Sequence, residues 1–201
     1  ACVPASEMIS VNSLFPHLLA EACERRHVRL MQISTDCVFS GRKGMYTVED
    51  LPDPDDLYGR SKLMGELDPP HVTIRTSIIG PELSFTKFGL MEWFLKSHGA
   101  VNGYDNAYWN GVTTLELARL IRALLRMTGV KGLVQLSSPD HVSKYELLCM
   151  LKAVFDVPTD VRPMSLRDPV DRTIVKSAIG LRIPTLSQQL MELKKWMNGD
   201  R

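Results

Sequence analysis

Apolar residues recur every three or four positions over residues 6–26, where Met8, Val11, Phe15, Leu18 and Leu19 fall along one side of a helix. Ser6 stands as its N-cap with Glu7 in the first turn, and Pro16 inside it predicts a kink because proline removes a backbone donor. The pattern then shortens. Residues 28–33 form a short segment of buried-strand type, interrupted at Arg29 and Gln32, and residues 72–76 read as the next strand. Between them, Ser40-Gly-Arg-Lys-Gly and Pro52-Asp-Pro mark residues 40–57 as a loop, followed by a helix carrying Tyr58 that ends before Asp68-Pro-Pro.

The second half alternates in the same way. Residues 89–96 read as a short amphipathic helix, and residues 104–111 as an aromatic, amide-rich loop. A helix over residues 113–127 is predicted from the Thr113/Glu116 capping pattern, the stripe of Leu117, Leu120, Ile121, Leu124 and Leu125, and Gly129 beyond its end. Residues 132–137 read as a strand. Ser143 with Glu146 opens a helix to Phe155, and Thr185 with Gln188 opens a last one that Gly199 ends. Strands alternating with helices predict an α/β fold.

Composition narrows the class without naming a chemistry. With 201 residues and 44% hydrophobic content the chain can build one large domain or a domain with a small lobe. A formal net charge of +1 with interspersed signs implies neither nucleic acid nor an anionic membrane as partner, and no apolar run has transmembrane length. The expected location is the cytoplasm. Cys2, Cys23, Cys37 and Cys149 lack metal-ligand spacing and read as buried packing thiols, and the five histidines show no metal pattern, so no metal site is expected.

The candidate chemistry lies between Ile33 and Lys62. Tyr58 and Lys62 are one helical turn apart on the same face, so a cation beside the phenol would favour the phenolate and let Tyr58 shuttle a proton near neutral pH. A hydroxyl of Ser34 or Thr35 at the end of the first strand could bond the same carbonyl oxygen as charge develops on it. Together they suggest a carbonyl-reducing site.

Four ordered blocks carry a resemblance: Ile-Ser-Thr-Asp-Cys-Val-Phe-Ser-Gly from Ile33, Tyr-Thr-Val-Glu-Asp from Tyr46, Asp-Leu-Tyr-Gly-Arg-Ser-Lys-Leu-Met-Gly-Glu from Asp56, and Ile-Arg-Thr-Ser from Ile74. They resemble the extended short-chain dehydrogenase/reductases, and within them the dTDP-4-dehydrorhamnose reductase-like, sugar-nucleotide reductase branch. The resemblance implies the C-terminal part of a Rossmann-like doubly wound parallel sheet over residues 1–80, with the catalytic residues. A small mixed α/β substrate lobe is implied over residues 81–201, from Phe88 onward, whose chain can cross back to the sheet. It implies Thr35, Tyr58 and Lys62 as the catalytic set, Asp36 and Thr35 on the sugar, and Tyr58, Lys62, Asn12 and Ser77 on the cofactor side. Trp109 and Asn110 are nominated for the substrate because aromatics and amides suit a sugar and a flat base.

The implied cofactor is NADP or NAD, with NADPH favoured, and the implied partner a nucleotide sugar, with a homodimer as an open option. The implied function is reduction of a nucleotide-linked 4-keto sugar. The alternatives are a non-catalytic regulatory subunit like that of methionine adenosyltransferase, and a nucleotide-sugar epimerase or dehydratase. No Gly-x-x-Gly-x-x-Gly occurs, so the pyrophosphate cradle is not in this sequence, and the chain reads as a fragment of a longer one with an open sheet edge. Ile78 stands where some rhamnose-type reductases have a Trp. Asp171-Arg172 reads as a surface salt bridge rather than a diphosphate contact.

Overall fold

In the computed structural model, residues 3–82 and 89–199 are described; Cys2 and the lobe boundary near Phe88 lie outside them. Helix α1 (Ala5–Ile9) passes through a π-helical turn (Ser10–Leu14) into α2 (Phe15–Glu24). The kink expected at Pro16 is absorbed by that wider turn, which leaves Pro16 in the first turn of α2, where a missing N–H costs little. The inward face also differs from the periodicity. Val11, Phe15 and Leu18 are 58%, 56% and 50% exposed, and Ser13, Pro16 and Ala20 are buried instead.

The cause is close packing against α3 (Leu57–Met64). A Cβ on Gly65, at the end of α3, would lie 1.8 Å from the Asn12 carbonyl oxygen, so small residues must face the contact. Ser13 Oγ donates to the Ser61 carbonyl at 2.8 Å across it.

Strands β1 (Met31–Ile33) and β2 (Val72–Arg75) pair in parallel, Met31 opposite Val72. The remaining elements are β3 (Ile78–Ile79), α4 (Leu90–Leu95), β4 (Ala100–Tyr104), β5 (Ala107–Trp109), β6 (Val112–Thr113), α5 (Thr114–Arg126) and β7 (Gly132–Gln135). They continue with β8 (Val142–Ser143), α6 (Lys144–Phe155), β9 (Asp160–Met164), β10 (Val170–Asp171) and α7 (Leu186–Met197). The main sheet has the order β1-β2-β7, all parallel, so the chain returns to it at β7 after leaving at β2. β2 is central and wholly buried, with Val72 and Ile74 in the core and its polar residues bonded, Thr73 to the Leu67 backbone and Arg75 to Glu66.

Two cores form. Val72, Ile74, Val134 and Leu136 pack under Leu117, Leu120 and Leu124 of α5. Met91 and Phe94 of α4 pack with Leu147, Leu148 and Leu151 of α6 and Leu186, Leu190 and Leu193 of α7, where both capping boxes are present. Residues 104–111 are not a loop: β5 runs through them, parallel to β10 and antiparallel to β8. β9, paired only with β4, is mostly exposed and holds Pro163, so no alternation announces it. Among the described residues no helix is long and apolar enough to cross a membrane, and no group of three metal-ligating side chains occurs.

Candidate active site

The site is built where β1 and β2 end. Ser34 N donates to the Ile74 carbonyl at 2.7 Å, extending the ladder one step, and the chain then turns. Thr35 caps the 3-10 turn Asp36–Val38: its Oγ1 accepts from Cys37 N at 3.1 Å and donates to Asp36 Oδ1 at 3.1 Å. Helix α3 begins directly against this turn. Asp56 caps it by accepting from Gly59 N at 2.7 Å, and a Cβ on Gly59 would lie 2.2 Å from the Cys37 carbonyl oxygen. That approach sets Tyr58 and Thr35 against the same cavity.

Lys62, one turn on, donates from Nζ to the Ile33 carbonyl at 2.6 Å. A cavity of about 340 Å³ opens here, lined by Ile33 to Cys37, Tyr58, Lys62 and Thr76 to Ile78. Thr35, Asp36, Tyr58, Lys62 and Ser77 therefore meet in one pocket.

The electrostatics differ from expectation in one respect. Burial pushes the Tyr58 phenol above its ordinary value, the charges of Cys37, Asp36 and Asp56 add to this, and only the Thr35 hydrogen bond opposes them. The Lys62 ammonium is turned to the Ile33 carbonyl; its own pKa is lowered by burial and partly restored by Glu66. Asp36, 6% exposed, is raised by burial, against the charges of Lys144 and Arg172 and the hydroxyls of Thr35 and Ser77.

The other nominated residues lie elsewhere. Asn12 sits behind α3, its Nδ2 donating to Ser61 Oγ at 3.1 Å. Trp109 is buried in a neighbouring cavity of about 220 Å³ that shares Ser77 and Ile78 with the first, and its Nε1 donates to Ser77 Oγ at 2.7 Å. Asn110 spends both ends of its amide on Ile174, donating to its carbonyl at 2.8 Å and accepting from its N–H at 3.1 Å. Cys23, Cys37 and Cys149 are half-buried, and Cys37 lines the pocket.

Three features escaped the sequence. Among the described residues Arg172 forms no salt bridge: it donates from Nε to the Phe39 carbonyl at 3.1 Å, while Asp171 pairs with His141 at 3.2 Å. Lys144, in the first turn of α6, stands 4.9 Å from the Trp109 ring centroid. Glu66 binds Arg75 bidentately at 2.8 and 2.7 Å and accepts from Ser34 Oγ at 2.7 Å, anchoring the strand end beside Thr35. No spacing rule links these residues, since each pairing is made only by the fold.

Residues 4–196 match the profile of the family described as RmlD substrate binding domain. The chain belongs to that family. Among relatives of this RmlD-type chain, a dTDP-4-dehydrorhamnose reductase of Mycobacterium tuberculosis is 32% identical over 174 residues, covering 78% of this chain and 55% of the relative. Methionine adenosyltransferase 2 subunit beta of Danio rerio is 29% identical over 143 residues, covering 65% and 44%. The chain thus spans about half the length of the curated relatives it matches. A solved dTDP-4-dehydrorhamnose reductase structure from Clostridium acetobutylicum superposes with a TM-score of 0.80 at 22% identity, covering 96% of this chain and 75% of that one. One from Bacillus anthracis, in complex with NADP, gives 0.79 at 22%, covering 91% and 71%. These neighbours share the parallel α/β fold of the RmlD-type chain.

Proposed function

We propose that this chain carries the ketone-facing half of an NAD(P)H-dependent reductase of a nucleotide-linked 4-keto sugar, as in dTDP-4-dehydrorhamnose reductase. The observation that carries the reading is the meeting of Thr35, Asp36, Tyr58 and Lys62 in one pocket at the strand ends, where ligands bind in open α/β sheets. The M. tuberculosis relative supports it. The division into a sheet part over residues 1–80 and a substrate part over residues 81–201 belongs to the same proposal.

The pocket residues fit the nicotinamide end of the cofactor. Lys62 keeps N–H donors beyond the one on Ile33, and Ile78, half-exposed, gives the cavity an apolar wall beside Ser77. A bound nicotinamide supplies the hydride. Tyr58 supplies the proton: with its pKa raised, the phenol rests protonated and is set to donate to the ketone oxygen as negative charge develops there. Thr35, whose hydroxyl proton rests on Asp36 Oδ1, bonds the same oxygen when that proton turns from Asp36 to the developing charge, and Asp36 faces the sugar. Tyr58, 43% exposed, can be reprotonated from water. Asn12 acts through Ser61, which donates to the Tyr58 carbonyl at 2.8 Å. NADPH is the donor we favour, the Bacillus anthracis neighbour having been solved with NADP. The outward apolar face of Val11, Phe15 and Leu18 supports a homodimer as an option.

Tyr58→Phe in the full-length enzyme should lower ketone-dependent NADPH oxidation by about 10²-fold or more while leaving cofactor affinity nearly unchanged. Unchanged turnover would sink the proposal. A regulatory subunit is the second reading, favoured by the likeness to methionine adenosyltransferase 2 subunit beta. Stoichiometric co-purification with an enzyme partner, without net NADPH consumption, would select it.

A further inference from the structure

The cavity of about 220 Å³ beside the catalytic one meets it at Ser77 and Ile78, and its wall carries Trp109, Thr114, Lys144 and Glu82. Trp109 is a fixed plate in that wall. Its Nε1 donates to Ser77 Oγ at 2.7 Å, and a Cβ on Gly111 would lie 2.3 Å from its Cζ2, so only glycine fits against the ring there. Lys144 Nζ stands 4.9 Å from the ring centroid, placed by the β5·β8 pair, Trp109 opposite Val142, and by the Ser143/Glu146 capping box that opens α6. Among the described residues this half-buried lysine makes no hydrogen bond and no ion pair, so all three of its donors are unspent. The Thr114 hydroxyl, at the start of α5, has no hydrogen bond among the described residues either. A Cβ on Gly80 would lie 2.1 Å from its oxygen, so glycine keeps the space before it clear. Glu82, the one carboxylate on this wall among the described residues, has an oxygen against Gly89 and makes no ion pair with Lys144.

We propose that Lys144 anchors the diphosphate of the nucleotide-linked substrate, with the Thr114 hydroxyl as a second donor, in the cavity next to the catalytic one. The assignment deepens the reductase reading and rests on it for the identity of the substrate. A 4-keto sugar carries its ketone and its phosphate-bearing carbon on opposite sides of the ring, so a ketone held at Tyr58 directs the diphosphate away from the phenol and into the adjoining space. An ammonium is a compact point charge that suits phosphate, whose oxygens accept from an ammonium and a hydroxyl alike. The cation is preorganised, because the indole beneath it is pinned at its Nε1 and at its Gly111 side. Glu82 repels an anion from its own part of the wall, which leaves the Lys144 and Thr114 side for the diphosphate. Lys144 thereby selects substrates that carry an anionic group one sugar ring from the ketone.

Isothermal titration of the full-length protein with uridine diphosphate, thymidine diphosphate and uncharged thymidine tests this, in excess NADP so that the cofactor's own phosphate sites are filled. Lys144→Met should weaken diphosphate binding by about 10- to 100-fold and leave thymidine unchanged, while Lys144→Arg stays within about threefold of wild type. Unchanged diphosphate affinity in Lys144→Met overturns the proposal, as does a wild type that binds neither diphosphate. An equal loss for thymidine overturns it too, since Lys144 would then act only by packing on Trp109. Should Lys144→Met not fold, the wild type decides: acetylation of Lys144 by acetic anhydride, read by mass spectrometry, should slow about tenfold with a diphosphate at about ten times its Kd. An equal rate with and without the diphosphate overturns the proposal. In turnover, Lys144→Met should raise KM about tenfold or more and keep kcat within about threefold. Lys144-dependent diphosphate binding in a full-length protein that reduces no 4-keto sugar supports the anchor and defeats the reductase reading alone.

Discussion

Removing one partner of the Glu66–Arg75 pair should be among the most damaging single changes in the molecule. Arg75 is 3% exposed, and its guanidinium meets both Glu66 oxygens at 2.8 and 2.7 Å, lying 5.1 Å from the Phe39 ring. Its Nη1 already has no hydrogen-bond partner among the described residues. Arg75→Met leaves the Glu66 carboxylate, itself largely buried, with the Ser34 hydroxyl and the charge of Lys62, and breaking a buried pair from one side costs about 3–5 kcal/mol. Glu66→Leu leaves the arginine stranded at similar cost. The double variant removes both charges and should lose far less than the sum, because no uncompensated ion remains. With a urea m-value of about 2 kcal/mol/M, each single change should lower the denaturation midpoint by about 2 M. A double-mutant cycle in urea, followed by far-UV circular dichroism, measures the coupling. Strict additivity, or a single-variant loss below about 1 kcal/mol, would refute the reasoning.

Asp36→Asn should raise stability at pH 7 while abolishing most turnover. The folded pKa of Asp36 lies above its unfolded value, so the folded state binds the proton more tightly and stability falls as pH rises through that window; asparagine removes the dependence. Melting temperatures at pH 4 and pH 7 would show it, and a less stable variant at pH 7 would count against a desolvated carboxylate. Asn110→Ala should cost about 1–3 kcal/mol by unpairing the buried Ile174 N–H, the Ile174 carbonyl keeping the Ser137 hydroxyl, with ligand affinity in the folded fraction unchanged. A weaker affinity for the nucleotide sugar would restore Asn110 to the binding site. Gly59→Ala should push α3 away from the Cys37 carbonyl, destabilise by about 1–3 kcal/mol and lower turnover more than Tyr58-remote changes of equal stability cost. Chemical denaturation paired with kcat measurement separates the two effects.

Local rules determined a good part of this protein. The capping patterns at Ser143 and Thr185 place α6 and α7 because a side-chain hydroxyl three residues before a Glu or Gln satisfies orphan N–H groups wherever the chain sits. Turn spacing placed Tyr58 and Lys62 on one helix, and the ordered blocks from Ile33 to Ser77 assembled the pocket residues. Tertiary structure decided the rest. The inward face of α1 and α2 is set by the close approach of Gly65 rather than by hydrophobic period, and β5 and β9 exist because partners from distant segments complete their hydrogen bonds. Charge states were least legible of all. Whether Lys62 touches the phenol or the Ile33 carbonyl, and whether Arg172 and Lys144 face Asp36, depends on through-space distances between residues 29 to 136 positions apart, and those only packing fixes.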